Sequence, residues 1–312
     1  MPATNMPDES AARRIAAEVF GERPRSCARF TTGLRHWVYD VVLDSGRNVV
    51  VRLSHPDHRA ELAGGVFWHA QLSEVGVPVA SVLSSDVDAA QPYMILERLP
   101  GEDLGIVFDQ LTDVQLRRLA SAVVEMQDCA SRLPRAGGFG YALDYDTRLR
   151  PSWRAVLDAS IDRSARWFRD VGAVDPTWVR RVRERLESTA ASLDDVEPVA
   201  FLHDATTKNV IVSKGVLSGL VDVDEMAFGD PLWATALTKM SLLSARRSTF
   251  YADIQAPIME NREGRAGRLN LYTAIHCLSF LAELGQQFNQ PTAAAINVTH
   301  RQHLEAVLAS LL

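Results

Sequence analysis

One stretch of the chain, residues 200–230, limits its possible folds more than any other. It holds two short runs rich in Val, Ile and Leu, and these runs flank Ser213, Lys214 and Gly215. Such a pattern predicts two antiparallel strands joined by a tight turn. A polar loop precedes the first run and acidic residues end the second, so we expect the hairpin to bring the loop and the acids side by side.

The polar side chains around this hairpin carry oxygen ligands. Asp204 and Asn209 lie in the loop, and Asp222 closes the second run. Carboxylate and amide oxygens are the ligands that Mg²⁺ prefers, and a site with few protein ligands keeps positions for phosphate oxygens. The stretch therefore predicts a magnesium site. Asp224 is a second-line candidate for a magnesium ligand, because a strand that ends at Asp222 leaves Asp224 on the loop beyond.

Size, charge and cysteine content narrow the class of protein. The chain has 312 residues, enough for two lobes, and a net charge of −6, whereas nucleic-acid-binding proteins usually show a basic patch. Three widely spaced cysteines favour a reducing cytoplasm over a disulfide framework. Neither a signal-peptide pattern nor a long apolar run is present, so we expect a cytoplasmic protein without a membrane segment. No feature predicts an oligomeric state.

The chain divides into a strand-rich first third and a mostly helical remainder. Residues 30–53 alternate in polarity and predict two or three antiparallel strands. Thr112 and Gln115 predict a capping box at the start of a long helix. Helical spacing of apolar residues covers 8–20, 60–75, 112–131, 152–171, 176–193, 231–246, 268–288 and 292–312. We predict an α+β fold with a small antiparallel-sheet lobe, residues 1–98, and a larger helical lobe, residues 99–312.

Arg52 interrupts an apolar run in the first lobe. On a strand it shares a face with Val50, so its side chain is expected to point into or beside a core. Two interpretations are open. Arg52 is either an edge-strand arginine with a solvated head, which this stretch alone slightly favours, or a buried cation that holds phosphates.

Taken together, these elements resemble the aminoglycoside phosphotransferase and choline kinase family, whose members share the two-lobed protein-kinase-like fold. The segment from Asp204 to Asn209 matches the catalytic D-x-x-x-x-N of that family. Residues 221–224 and 229–231, with the sequences VDVD and GDP, follow where the family has motifs like I-D-W-D and G-D-P. Residues 30–39 resemble its glycine-containing nucleotide loop.

The resemblance implies a phosphotransferase that uses ATP and Mg²⁺ and acts on a hydroxyl of a small molecule, such as an antibiotic, an amino alcohol or a sugar. Asp204 is then the residue that orients or deprotonates the acceptor hydroxyl. Asn209 and Asp222 hold the Mg²⁺ that bridges the ATP phosphates. Arg52 stands at the strand position of the phosphate-holding Lys or Arg.

Further contacts with ATP follow from the same resemblance. Gly33 lies in the nucleotide loop, where its backbone could approach the ligand closely. The connector between the lobes contains Glu97, Arg98 and Leu99, and it is expected to offer backbone groups to adenine. Lys208 either approaches the transferring phosphate or stays a solvated loop lysine.

Several positions depart from the family pattern. Gly65 stands where a helix glutamate is expected to pair with the strand cation, and Glu61 lies one turn earlier on the same face as a substitute. The usual histidine two residues before the catalytic aspartate is Leu202, with His203 directly before Asp204 instead. That histidine either packs under the loop or helps to order Asp204.

Two other functions remain open at the level of sequence. The departures from the pattern, together with Ala234 in place of a family aspartate, are compatible with a nucleotide-binding pseudokinase that acts as a scaffold. The same fold and metal could also transfer a nucleotidyl group. For the acceptor side, Asp253, Glu260 and Glu283 either present negative charge to a cationic acceptor or are isolated surface carboxylates.

Overall fold

A five-stranded antiparallel sheet forms most of the first lobe. The computed structural model describes residues 7–30, 36–172, 174–261, 267–286 and 295–312. The sheet has the strand order β1-β2-β3-β5-β4. These strands are β1 Pro24–Arg29, β2 Trp37–Leu43, β3 Asn48–Leu53, β4 Val82–Asp86 and β5 Tyr93–Glu97. Alternate residues of β2 are buried, as the period of a half-buried strand requires.

Helix α1, Glu9–Phe20, covers one face of this sheet and starts at a capping residue. The side chain of Asp8 accepts a hydrogen bond from the backbone N–H of Ala11, and Gly21 ends the helix with φ 66°. Helix α2, Arg59–Glu74, connects the two lobes. The indole N–H of Trp68, on α2, donates to the carbonyl oxygen of Ala142 at 2.7 Å, so α2 is fixed to the second lobe as well as to the sheet.

The second lobe is mostly helical, with two small three-stranded sheets. Its helices are α3 Leu104–Val107, α4 Asp113–Ala130, α5 Trp153–Val171, α6 Thr177–Thr189, α7 Leu232–Ser244, α8 Phe250–Asn261, α9 Arg268–Glu283 and α10 Val298–Leu311. Its strands are β6 Glu102–Asp103, β7 Gly140–Ala142, β8 Val199–Phe201, β9 Val210–Ser213, β10 Val216–Leu220 and β11 Met226–Gly229. The orders β10-β9-β6 and β7-β11-β8 put β9, which follows the polar loop, in one sheet and β8, which precedes it, in the other.

The predicted α+β fold of two lobes is confirmed, and so are the hairpin and the capping box of α4. Strand β10 ends at Leu220 and not at Asp222, because Gly219 shifts the register and Leu220 donates its backbone N–H to the carbonyl of Pro78. Asp222 and Asp224 therefore both lie on the loop between β10 and β11.

Two elements escape the sequence pattern. Strand β1 is an edge strand without alternating burial, and α8 contains Pro257, a residue that usually interrupts helices. Parts of the predicted helices 268–288 and 292–312 lie outside the described residues. Where the chain is described, its helices are either too short or too polar to cross a membrane.

Candidate active site

The polar loop between β8 and β9 is held by its own hydrogen bonds. The hydroxyl of Thr206 donates to Oδ1 of Asp204 at 2.8 Å, and Nδ2 of Asn209 donates to the backbone carbonyl of Asp204 at 2.9 Å. The side chain of Gln127 pairs with both backbone groups of Leu202, at 2.8 and 2.9 Å. These bonds fix the carboxylate of Asp204 before any ligand binds. The loop thus has the preorganisation that a catalytic group requires.

Asp222 is brought to the same place by an unusual backbone conformation. Its φ is 64°, in the left-handed region that aspartate tolerates better than most residues. The carbonyl of Asn209 accepts the N–H of the preceding Val221 at 2.9 Å, which ties the acidic loop to the polar loop. Asp204 and Asp222 line one small cavity. The predicted trio of Asp204, Asn209 and Asp222 is therefore assembled at one end of the hairpin.

Arg52 lies across from these residues as a buried cation. Its strand, β3, lies inside the sheet, and its side chain is 6% exposed, so the interpretation as a solvated edge-strand arginine is wrong. Its Nη2 lies 2.6 Å from Oδ2 of Asp224 and 3.2 Å from Oδ1 of Asp222. Burial acts against the charge, but the two carboxylates outweigh it and raise the pKa of the guanidinium above its ordinary value.

Asp224 is a central member of this cluster. It contacts Arg52 and also lies with Oδ2 3.0 Å from Nε2 of His36. Burial disfavours its charge, but Arg52 and His36 hold its pKa well below the usual range. Asp224 does lie on the loop beyond Asp222, but its carboxylate is 13% exposed and pairs with Arg52 on β3. Sequence reasoning missed both His36 and this ion pair.

Lys208 contacts the residue that the resemblance makes catalytic. Its Nζ lies 3.1 Å from Oδ2 of Asp204, although the side chain is 57% exposed. Burial lowers the pKa of the ammonium, but Asp204 and Asp222 outweigh it and raise this pKa above its ordinary value. Lys208 is therefore a charged partner of Asp204 at the mouth of the site.

The connector between the lobes is fixed by the side chain of Arg98. Its Nη1 donates to the carbonyl of Leu99 at 2.6 Å, and its guanidinium lies 5.5 Å from the ring centroid of Phe30. The carboxylate of Glu97 accepts a hydrogen bond from the hydroxyl of Ser81 at 3.1 Å. The backbone of these connector residues therefore has a defined course along one edge of the cleft.

Gly33 and Glu61 are the remaining predicted nucleotide-binding residues. Gly33 lies outside the described residues. The carboxylate of Glu61 lies 3.2 Å from Nδ1 of His58, whereas the ion pairs described for Arg52 lead to Asp222 and Asp224.

On the acceptor side, His203 packs against its neighbours. Its ring meets that of Tyr141 edge-on at 5.0 Å, and its Nε2 lies 3.7 Å from the carboxylate of Glu225. Glu283 lies at the end of α9, and Lys208 and Asp204 both act electrostatically on its carboxyl. Burial raises the pKa of Glu283, which does not fit an isolated surface carboxylate.

The other two acidic residues considered for the acceptor contribute less. Asp253 is bound by Lys239 at 2.8 Å on the surface, while the side chain of Glu260 lies outside the described residues. Across the part of the chain that the structure describes, no three His, Cys, Asp or Glu side chains converge as a metal site. Asn209 and Asp222 carry side-chain oxygens, the type of ligand that Mg²⁺ prefers.

A comparison with models of known protein families identifies the family of this chain. The model of the Phosphotransferase enzyme family matches residues 26–257. The chain belongs to this family. In this phosphotransferase family member, the match includes nearly all of the sheet of the first lobe, the polar loop and the acidic loop.

Solved structures agree on the fold. The apo form of a thermostable mutant of aminoglycoside phosphotransferase APH(4)-Ia has a TM-score of 0.68 and 20% identity, over 96% of this chain and 98% of that one. A related mutant was solved with ADP and hygromycin B and has a TM-score of 0.67 and 17% identity, with the same coverage. A candidate fructosamine-3-kinase from Thermobifida fusca YX-ER1 has a TM-score of 0.60 and 20% identity, over 97% of this chain and 100% of that one. A comparison with curated protein sequences gave no match.

Proposed function

We propose that this phosphotransferase is an ATP- and Mg²⁺-dependent kinase that transfers the γ-phosphoryl group to a hydroxyl of a small molecule. One observation carries the proposal. Asp204 and Asp222 line a common cavity, beside an Asn209 that is anchored to the same loop. The relatives solved with ADP or AMP-PNP and with hygromycin B support a nucleotide and a small acceptor.

Asp204 has the role of orienting the acceptor hydroxyl. It takes the proton as the acceptor oxygen bonds to the γ-phosphorus and the bond to ADP breaks. Thr206 donates to Oδ1 of Asp204 and Lys208 pairs with Oδ2, so both oxygens have defined directions. Phosphoryl transfer depends mainly on positioning and charge neutralisation, and an anchored carboxylate next to a lysine supplies both.

The residues present fit a hard metal ion. Nδ2 of Asn209 is used in its bond to the Asp204 carbonyl, so the amide oxygen is the atom that a metal takes. Asp222 has a side chain that is 45% exposed and can turn toward a ligand. When bound, Mg²⁺ neutralises and bridges phosphate oxygens. Asn209 and Asp222 would hold this ion through their side-chain oxygens.

The remaining residues place the nucleotide. Arg52 holds the α- and β-phosphates, and the connector of Glu97, Arg98 and Leu99 offers its backbone to adenine. Gly33 and Glu61 are further proposed contacts from the first lobe. We place the protein in the cytoplasm, where ATP and reduced thiols are abundant. Its cysteines are unpaired.

The acceptor is an antibiotic, an amino alcohol or a sugar-like molecule. His203 and Glu225 line the same cavity as Asp204, and Tyr141 packs on the ring of His203. These polar groups favour a molecule with several hydroxyl or amino groups. The pseudokinase alternative, which was motivated by Gly65, Ala234 and the altered nucleotide loop, is not retained, because the family match and the kinase neighbours give it no support. Of its three motives, Gly65 concerned the carboxylate partner of Arg52. Arg52 has that partner in Asp224.

An ATP-consumption screen tests the proposal. Aminoglycosides, other antibiotics, amino alcohols, sugars and sugar amines are offered with Mg-ATP, and product formation is followed by mass spectrometry. Asp204→Asn is the matched control, since it keeps the shape of the side chain and removes its charge. We expect one acceptor class to be phosphorylated by the wild type alone. Failure of every acceptor despite tight binding of Mg-ATP contradicts the proposal.

A further inference from the structure

The loop that carries Asp224 lies against α2 at two adjacent glycines. A Cβ atom added to Gly64 would lie 2.5 Å from the backbone oxygen of Asp224, and one added to Gly65 would lie 2.7 Å from Oδ1 of Asp224. Both distances are too short for any side chain. Gly64 and Gly65 thus open the space on α2 that the carboxylate of Asp224 fills.

Asp222 and Asp224 differ in how firmly they hold Arg52. The carboxylate of Asp222 is 45% exposed and lies 3.2 Å from Nη2 of Arg52, whereas that of Asp224 is 13% exposed and lies at 2.6 Å. A metal ion can therefore compete with Arg52 for the carboxylate of Asp222. Asp224 faces away from solvent and is also engaged by His36, so its contact with Arg52 persists when Asp222 is used elsewhere.

The same carboxylate connects three parts of the first lobe. Arg52 lies on β3, His36 directly precedes β2, and Gly65 lies on α2. A single oxygen, Oδ2 of Asp224, contacts both Arg52 and His36. An arginine has several rotatable bonds and a planar fork of donors, so its direction must be fixed before it can hold phosphates.

We propose that Asp224 is the positioning residue that orients Arg52 toward the phosphates of the nucleotide, in the space left by Gly64 and Gly65. It takes the place of a carboxylate on α2, which this helix cannot supply at position 65. The proposal rests on the proposed function, because it assumes that Arg52 contacts phosphate. It leaves Asp222 as the metal ligand and gives Asp224 a separate task.

Binding measurements test this role without the acceptor. Titration calorimetry with Mg-ATP and with adenosine compares a ligand that has phosphates with one that lacks them. We expect Asp224→Asn to weaken Mg-ATP binding about tenfold or more, as the loss of a charged hydrogen-bond partner predicts, and to leave adenosine binding almost unchanged. A purely structural role for Asp224 predicts equal losses for both ligands, and that result would overturn the proposal.

Relocation of the carboxylate gives a second test, which also covers the case in which Asp224→Asn folds poorly. The double variant Gly65→Glu with Asp224→Ala moves the negative charge from the loop to α2. We expect it to bind Mg-ATP more tightly than the single variant Asp224→Ala, since truncation at 224 makes room for the new side chain. Equal affinities of these two variants would count against the proposal.

Asp88→Asn is the matched control, because Asp88 is a surface carboxylate of the same lobe with 92% of its side chain exposed. Asp88→Asn should leave the ratio of the affinities for Mg-ATP and for adenosine unchanged. A wild type that binds Mg-ATP but phosphorylates nothing defeats the proposed function alone, since the Asp224 variants are still judged by binding. A wild type that binds no Mg-ATP defeats both.

Discussion

Gly65→Ala is expected to destabilise the protein, although alanine in place of glycine inside a helix normally contributes about 1 kcal/mol of stability. The new Cβ would lie 2.7 Å from Oδ1 of Asp224. That carboxylate is held by Arg52 and His36, so it cannot move aside without weakening both contacts. Overpacking of this kind costs about 1–3 kcal/mol. After the gain in helix propensity of about 1 kcal/mol is subtracted, the net loss in the free energy of unfolding should lie between about 0 and 2 kcal/mol.

The effect of Gly65→Ala on the free energy of unfolding should change sign when Asp224 is replaced by alanine. In an Asp224→Ala background the obstructing oxygen is absent, so Gly65→Ala is left with its helix propensity and should stabilise by up to about 1 kcal/mol. The difference between the two backgrounds is a coupling energy of about 1–3 kcal/mol, the range expected for side chains in direct contact.

Urea unfolding followed by tryptophan fluorescence measures all four proteins of this cycle. Ser73, exposed on the same helix, provides the control, because Ser73→Ala compared with Ser73→Gly reports helix propensity alone. The reasoning is refuted if Gly65→Ala stabilises the wild type as much as the Ser73 pair predicts. It is also refuted if the substitution has the same effect in both backgrounds.

Four further outcomes follow from the structure. Asp204→Asn should abolish turnover and leave the affinity for Mg-ATP nearly intact, so full activity in steady-state assays would contradict its role. Asp222→Ala should remove the Mg²⁺ dependence of ATP binding, as measured by calorimetry with and without a chelator; a persistent dependence would exclude it as a ligand. Gly229→Ala should destabilise by about 2 kcal/mol or more, because its φ is 150° and the new Cβ would lie 2.2 Å from the ring of Trp153; an unchanged urea midpoint would contradict this. Burial lowers the pKa of His276 from 6.5 to about 3. The stability that neutral His276 contributes is therefore complete above about pH 6.5 and declines as the pH falls toward 3. A His276→Gln variant that loses stability over the same pH range would refute the assignment of this decline to His276.

The elements that sequence predicts well are those with local causes. The hairpin around Ser213 to Gly215 follows from two apolar runs and a turn, and the capping box of Thr112 and Gln115 from a spacing of three residues. The polar loop is predictable because Asp204 and Asn209 are separated by the number of residues that the family motif has. In each case, the physical cause lies within a few positions of the chain.

The position of Asp224 has non-local causes. It depends on the left-handed φ of Asp222 and on the space beside Gly65, residues that are far apart in sequence. The sequence also cannot show that a buried arginine on β3 meets a loop from the second lobe. Similarly, β1 lacks alternation because it lies at a sheet edge, and the burial of Glu283 depends on the packing of several helices.

Transfer of labelled phosphate tests the central claim most directly. The protein is incubated with ATP labelled with ¹⁸O in its γ-phosphate, Mg²⁺ and a small-molecule extract, and mass spectrometry identifies every product that carries the label. The account predicts a hydroxyl-bearing small molecule that gains one labelled phosphoryl group with the wild type and none with Asp204→Asn. A product that gains an adenylyl group, or the absence of any labelled product when Mg-ATP is bound, would contradict it.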